Sequence, residues 1–244
     1  MSTLSHRGPN KTHSKTSPLH CTDAFAEVLT TTKPKLLLGS GSKSRRQLMD
    51  ELASEFGFSY EVLTADIDEK AIRNPDPEAL VLSLAHAKAD AILAKMGVHA
   101  ESEDERKHGF LITCDQVVTH RGLILEKPES PEEALRFIDG YGHAPAQTVG
   151  STVCTDLTSL ARFSAVDIAT ITFAPIPKSV AQSLVDEGEV MWCAGGLMVE
   201  HPAVAPYITG MEGGQDTVMG LSKARVMELI CQAMESRCAS NIAY

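Results

Sequence analysis

From Lys35 onward, short apolar runs alternate with stretches in which apolar residues recur every three or four positions. Leu36, Leu37 and Leu38 form an unbroken apolar run too short for a buried helix, which predicts a buried strand. Over residues 42 to about 56 the period becomes helical, and Ser42 stands where an N-cap belongs. Residues 60–64 predict a second strand, followed by an acidic loop holding Asp66, Asp68 and Glu69. Asp76 and Pro77 then supply an N-cap and a first-turn proline for a helix reaching about residue 96. The charged stretch 101–108 reads as a solvated loop. Residues 110–118 predict a strand that His120, Arg121 and Gly122 turn into a second one at 123–125. Ser130, Pro131, Glu132 and Glu133 make a capping box whose helix Gly140 is expected to stop. Two β-rich runs follow at 148–155 and 163–173, then a short helix ending at Gly188, a glycine-rich segment over 195–220 and a last helix over about 222–234. Hairpin-like pairs sit among crossovers, so the predicted fold class is α/β with a central mixed sheet flanked by helices.

Composition narrows the partners. A chain of 244 residues with 43% hydrophobic residues can bury one large core. Its formal charge of -10 repels a nucleic-acid polymer from most of the surface. A small anion in a local basic pocket stays compatible with it. Six scattered cysteines without a CxxC pair fit a reducing compartment, and the nine histidines lack zinc-ligand spacing. No apolar run approaches the roughly 20 residues that span a bilayer, so the chain is expected to be soluble and cytoplasmic. Residues 1–33 are rich in Ser, Thr, His and Pro, and the first 22 hold Arg7, Lys11 and Lys15 but no acid. That composition suits an organelle-targeting peptide, but without an amphipathic pattern it reads as a flexible arm.

Several residues break the local pattern. Ser40-Gly41-Ser42-Lys43-Ser44-Arg45-Arg46 is a strand-to-helix loop that fails both the Walker A and the dinucleotide glycine patterns. Arg45 and Arg46 in a first helical turn oppose the helix dipole, whereas an anion there would meet free N–H groups and both guanidinia. The plainer alternative is a surface helix that starts with arginines. Lys88 falls in the i+4 apolar stripe Leu80, Leu84, Ile92; it either snorkels to the core edge or reaches a site between helix and sheet. Asp115 sits amid Leu111, Ile112, Cys114, Val117 and Val118. An unpaired carboxylate there is costly unless a metal or a cationic cluster offsets it, or the strand ends in a solvated turn. Alone, Glu69 and Lys127 would read as surface residues. Trp192, the lone tryptophan, is expected in the core, with stacking on a base as the alternative.

Taken in order, Ser40-Gly41-Ser42-Lys43-Ser44-Arg45-Arg46, Asp66-Ile67-Asp68-Glu69, Leu84-Ala85-His86-Ala87-Lys88, Cys114-Asp115-Gln116, Leu125-Glu126-Lys127-Pro128 and Cys193-Ala194-Gly195-Gly196-Leu197-Met198-Val199-Glu200 resemble the Maf-like proteins, a family of nucleoside triphosphate pyrophosphatases. The resemblance spans roughly residues 35–236 and implies a single Maf-like domain over 34–238, between the arm and a tail over 239–244. It implies hydrolysis between the α- and β-phosphates of a nucleotide, a divalent metal (magnesium or manganese) and a homodimer. It assigns the catalytic roles to Asp115, Glu69, Lys88 and Lys127, with Asp115 as proton acceptor and Glu69 and Asp115 as metal ligands. Ser40, Ser42, Arg45 and Arg46 would hold phosphates. Gln116 and Glu200 look like the branch acting on 7-methyl-GTP; the branch acting on dTTP and UTP usually has Thr and Gln there. Ser44, a third base-specificity position, follows neither branch, since tryptophan is frequent in the first and arginine in the second. Lys43 replaces a usual proline, and His201-Pro202 a usual glycine. The same chemistry on dTTP or UTP stays open, as does a non-catalytic nucleotide-binding regulator of cell division.

Overall fold

The computed structural model describes residues 18–97 and 109–242. Among the described residues seven helices and seven strands follow in the order α1 (Pro18–Thr32), β1 (Lys35–Gly39), α2 (Lys43–Phe56), β2 (Tyr60–Val62), α3 (Pro77–Lys95), β3 (Gly109–His120), β4 (Leu123–Leu125), α4 (Pro131–Tyr141), β5 (Ala146–Asp156), β6 (Arg162–Phe173), α5 (Lys178–Glu187), β7 (Ile208–Glu212), α6 (Gln215–Val218) and α7 (Lys223–Ile242). The strands form one mixed sheet in the order β2-β1-β3-β5-β6-β7, with β4 paired to the far end of β3. β1 runs parallel to β2 and β3, and the other pairs are antiparallel. The expected α/β class with a mixed sheet is what is found.

Alternation along β3 sorts the layers. Phe110, Ile112 and Cys114 join Leu36 and Leu38 in a core shared with α1, α2 and α7. Leu111 and Val117 face the other way, toward α3, whose Leu80, Leu84, Ala89, Ile92 and Leu93 are buried. A third cluster gathers α4, α5 and the segment after it around Val118, Ala146 and Ile171. α3 lies close on the sheet because Gly39 lacks a side chain: a Cβ there would come within 2.6 Å of Thr113 Cγ2 and 2.7 Å of Ile92 Cδ1. Thr113 and Ser151 donate their hydroxyls to the Ala85 and Val81 carbonyls of α3, at 2.9 and 2.7 Å. The caps at Ser42, Asp76 and Ser130 form as the residue pattern predicts, each accepting a backbone N–H of its helix.

Four expectations need correction. Residues 18–32 of the expected arm are helical, and Phe25 is fully buried. It meets Phe56 and Phe58 edge-on, with ring centroids 5.1 and 6.1 Å apart. Gly140 lies inside α4, which runs one residue further and is capped by Gly142. The glycine-rich segment holds a strand and a short helix, and α7 runs on into the expected tail. Trp192 is not in the core but 79% exposed. The expected loop at 101–108 and residues 1–17 of the arm lie outside the described residues. Among the described residues no helix is long and apolar enough to cross a membrane.

Candidate active site

The site begins as a gap in the sheet. β5 pairs with β3 along 110–120 on one edge, so β1 (at 109–113) and β4 (at 118–120) share the other edge. Residues 114–117 have no strand partner on that side. This break falls at the carboxyl end of parallel β1, where open α/β sheets leave a crevice.

Asp115 stands in the break and, like Leu111 and Val117, faces α3. The Lys88 ammonium of α3 meets it at 2.5 Å and meets Glu69 Oε1 at 2.7 Å. Lys88 therefore does not snorkel outward; its side chain is only 12% exposed. Glu69 opens a 3-10 turn, Glu69–Ala71, capped by the Asp68 carboxylate, which accepts from Lys70 N at 3.0 Å. Two surface ion pairs, Lys70 with Glu129 and Arg73 with Glu126 (3.2 Å), tie this turn to the stretch carrying Lys127. Burial alone would push the Glu69 carboxyl up, but Lys88, aided by Lys127 and Arg45, holds it below its ordinary value.

The loop after β1 closes the site from the other side. Ser42 N donates to Ser40 Oγ at 3.2 Å, and Ser42 Oγ accepts from Arg45 N at 3.4 Å and is hydrogen-bonded to Ser44 Oγ at 3.0 Å, where either hydroxyl can donate. Arg45 uses Nη1 to reach the carbonyl of Cys114, one of the residues in the gap, at 3.0 Å. Its Nε reaches the Gly220 carbonyl at 2.9 Å. Gln116, on the opposite face of β3 from Asp115, donates to the Val218 carbonyl at 2.8 Å. The 214–220 return is thereby tied to both α2 and β3.

The sequence profile of the Maf-like proteins matches residues 35–233. The chain belongs to the Maf-like family. It is 37% identical over 206 residues to a 7-methyl-GTP pyrophosphatase of Dictyostelium discoideum, an alignment that covers 84% of this chain and all of that protein. It is also 32% identical over 197 residues to a nucleoside triphosphate pyrophosphatase of Streptomyces coelicolor, covering 80% and 89% of the two chains. A 7-methyl-GTP pyrophosphatase of Idiomarina loihiensis is 30% identical over 204 residues, covering 80% and 92%.

In this Maf-like chain the residues singled out from sequence fall into three groups. Glu69, Lys88 and Asp115 touch directly, and Lys127 and Arg45 act on Glu69 through charge. Ser40, Ser42, Ser44 and Arg45 form the bonded loop. Arg46 is exposed, and its carbonyl accepts from Tyr60 Oη at 3.2 Å. Glu200 is exposed beside Cys193. Burial, and then Glu200 and Glu189, push the Cys193 thiol up to about 11 against the pull of Lys127, which makes it a poor nucleophile.

The donor chemistry fits a hard divalent ion. Glu69 and Asp115 turn carboxylates toward one point, where the Lys88 ammonium stands and which an entering ion would share with it, and magnesium or manganese takes one or two carboxylates with water and phosphate oxygens completing its shell. Among the described residues no three His, Cys, Asp or Glu side chains gather where they could together hold a metal ion.

One buried residue beside the candidate site gives no sequence signal. Tyr141, fully buried at the end of α4, donates to the Gly195 carbonyl at 2.5 Å. Gly195 has φ 62°, and a Cβ there would stand 2.5 Å from Tyr141 Oη and 2.8 Å from Val118 Cβ, so only glycine fits. Its N–H donates to the Glu126 carbonyl at 2.8 Å. Tyr141 thus ties the segment carrying Cys193 and Glu200 to the end of α4, while the Gly195 N–H ties it to the stretch carrying Lys127. Tyr141→Phe, which leaves a buried carbonyl unpartnered, is expected to cost about 1–3 kcal/mol. A thermal melt checks this, and an unchanged midpoint would remove Tyr141 from the account.

Proposed function

We propose that this chain hydrolyses a nucleoside triphosphate between its α- and β-phosphates, with 7-methyl-GTP the favoured substrate and a monophosphate and pyrophosphate the products. The observation that carries the reading is Lys88 bridging Glu69 and Asp115 beside the Ser40 loop. Its support is the family membership and the printed activities of the relatives above.

In this reading the Asp115 carboxylate takes a proton from a water molecule as the water oxygen attacks the α-phosphorus and pyrophosphate departs. Lys88 stays hydrogen-bonded to Asp115 and holds that carboxylate in place. Arg45, Arg46 and Lys127 offset phosphate charge, and the Ser40 and Ser42 hydroxyls with the first amides of α2 orient the phosphate oxygens. Glu69 and Asp115 would hold a divalent ion, which when bound supplies neutralising charge to the phosphates. Gln116, Glu200 and Ser44 would bear on the base; a carboxylate accepts from guanine N–H groups and attracts the charge that N7-methylation adds. A homodimer in the cytoplasm belongs to the same proposal.

The test is pyrophosphate release from 7-methyl-GTP, GTP, dTTP, UTP and ITP with magnesium or manganese and an EDTA control. Selective, EDTA-sensitive turnover of 7-methyl-GTP is expected. Turnover of dTTP and UTP instead would keep the chemistry and discard the base argument. Nucleotide bound with no product formed would overturn the enzyme and favour the regulator.

A further inference from the structure

Trp192 is the chain's single tryptophan, and it stands 79% exposed. Leaving an indole in water forgoes a large hydrophobic gain, so its exposure calls for a reason. Chain on either side fixes its place. It ends a 3-10 turn, Glu189–Trp192, whose Glu189 pairs at 3.2 Å with Lys43, the first residue of α2. Immediately after it, Cys193–Gly196 is held against the Lys127 stretch by Gly195 N–H on the Glu126 carbonyl at 2.8 Å. A Cβ on Gly196 would lie 3.9 Å from Pro128 Cγ. The indole therefore belongs to a bridge between the start of α2 and Lys127, the two stretches assigned above to the phosphates.

The segment carries two carboxylates. Glu189 is matched by Lys43, with which it pairs at 3.2 Å, whereas Glu200, eight residues after the indole, is exposed and acts on the Cys193 thiol next in sequence to Trp192. Carboxylates are poor company for phosphates, but with an indole face they suit a flat, positively charged ring. Neutral guanine, thymine and uracil would gain stacking there without the charge term.

We propose that Trp192 is a specificity residue: it stacks on the base and, with Glu200, favours a cationic N7-alkylated purine over a neutral base. The proposal rests on the pyrophosphatase reading above.

A lone tryptophan makes the test direct, because all indole emission comes from this position. The full chain is titrated in EDTA with 7-methyl-GTP, GTP and dTTP while emission is followed, and calorimetry reports binding independently. Expected are strong quenching by 7-methyl-GTP and a midpoint about ten-fold lower than that for GTP. In turnover assays Trp192→Ala should raise KM for both nucleotides, but for 7-methyl-GTP about ten-fold more than for GTP, the excess being the lost cation–π attraction, and Trp192→Phe should restore most of that excess. Emission that ignores a nucleotide which calorimetry shows bound would overturn the assignment. So would equal KM changes for methylated and plain GTP. If the wild type hydrolyses 7-methyl-GTP while its indole stays silent, only the Trp192 proposal falls; if it hydrolyses no nucleotide, the underlying reading falls with it.

Discussion

Asp115→Asn is expected to lower kcat for pyrophosphate release by a factor of about 10² to 10⁴, the range a positioned general base contributes. The substitution keeps shape and an oxygen that can accept from Lys88, so the gap in β3 need not rearrange. What disappears is the charge and the basicity. Because Lys88 retains Glu69 at 2.7 Å, its ammonium is not stranded, and the thermal midpoint should move far less than when a buried pair loses one partner. Steady-state kinetics and a melt on the same preparation separate the two effects. Undiminished turnover in a folded Asp115→Asn protein would remove the carboxylate from the mechanism.

Arg237→Met should be the most damaging single change to stability. Asp156 is 1% exposed, and Arg237 meets it through Nε at 2.6 Å and Nη2 at 2.5 Å. The same guanidinium donates to the Gly109 carbonyl at 3.1 Å and lies 4.6 Å from the Phe110 ring centroid. It thereby fastens α7 to the start of β3 and the end of β5. Removing it leaves a buried carboxylate with only the Thr158 and Ser159 N–H groups, a loss of about 3–5 kcal/mol and about 10 °C in Tm for a chain of this size. The pH dependence gives the sign. Burial pushes the Asp156 carboxyl up, but Arg237 and the two N–H groups hold it below its ordinary value. In the wild type this contribution is present above the unfolded carboxylate pKa and fades as pH falls through the lower folded one. In the variant only the two N–H groups oppose burial, so the gap between the two proteins should be widest near neutrality and narrow toward about pH 4. Urea melts at pH 7 and pH 4 measure it; a constant gap would mean the loss is one of packing, not charge.

The two kinds of sequence signal behaved differently. Local signals read well: period, the caps at Ser42, Asp76 and Ser130, and the alternation along β3 each depend on neighbours within a few residues. Pattern-breakers were also legible as anomalies, since Lys88 in an apolar stripe and a carboxylate in a buried strand demand partners. Which partners they find is a matter of register: Lys88 reaches Asp115 because Thr113 and Ser151 seat α3 on the sheet and Gly39 lets it approach. The misses are long-range. α1 is hidden because Phe25 is buried against Phe56 and Phe58, some thirty residues on, and the chain before it is rich in Ser, Thr, His and Pro. Gly140 sits in a helix whose end is set by Gly142, where a Cβ would meet Pro175 Cα at 2.7 Å. Trp192 lies outside the core that its hydrophobicity predicts, at the end of a 3-10 turn whose Glu189 pairs on the surface with Lys43. Nothing local says that Gln116 and Arg45 will bond the carbonyls of Val218 and Gly220.

Arg45 joins α2, β3 and the 214–220 return through two carbonyl acceptors, with its other N–H groups left over. A loop held in this way has its shape before any anion arrives. The entropy of ordering the Ser40 to Arg46 segment is then charged to folding and not to association. An anion entering there meets donors that need no search for their geometry, so encounter should be governed by diffusion and charge, not by a slow rearrangement of the loop.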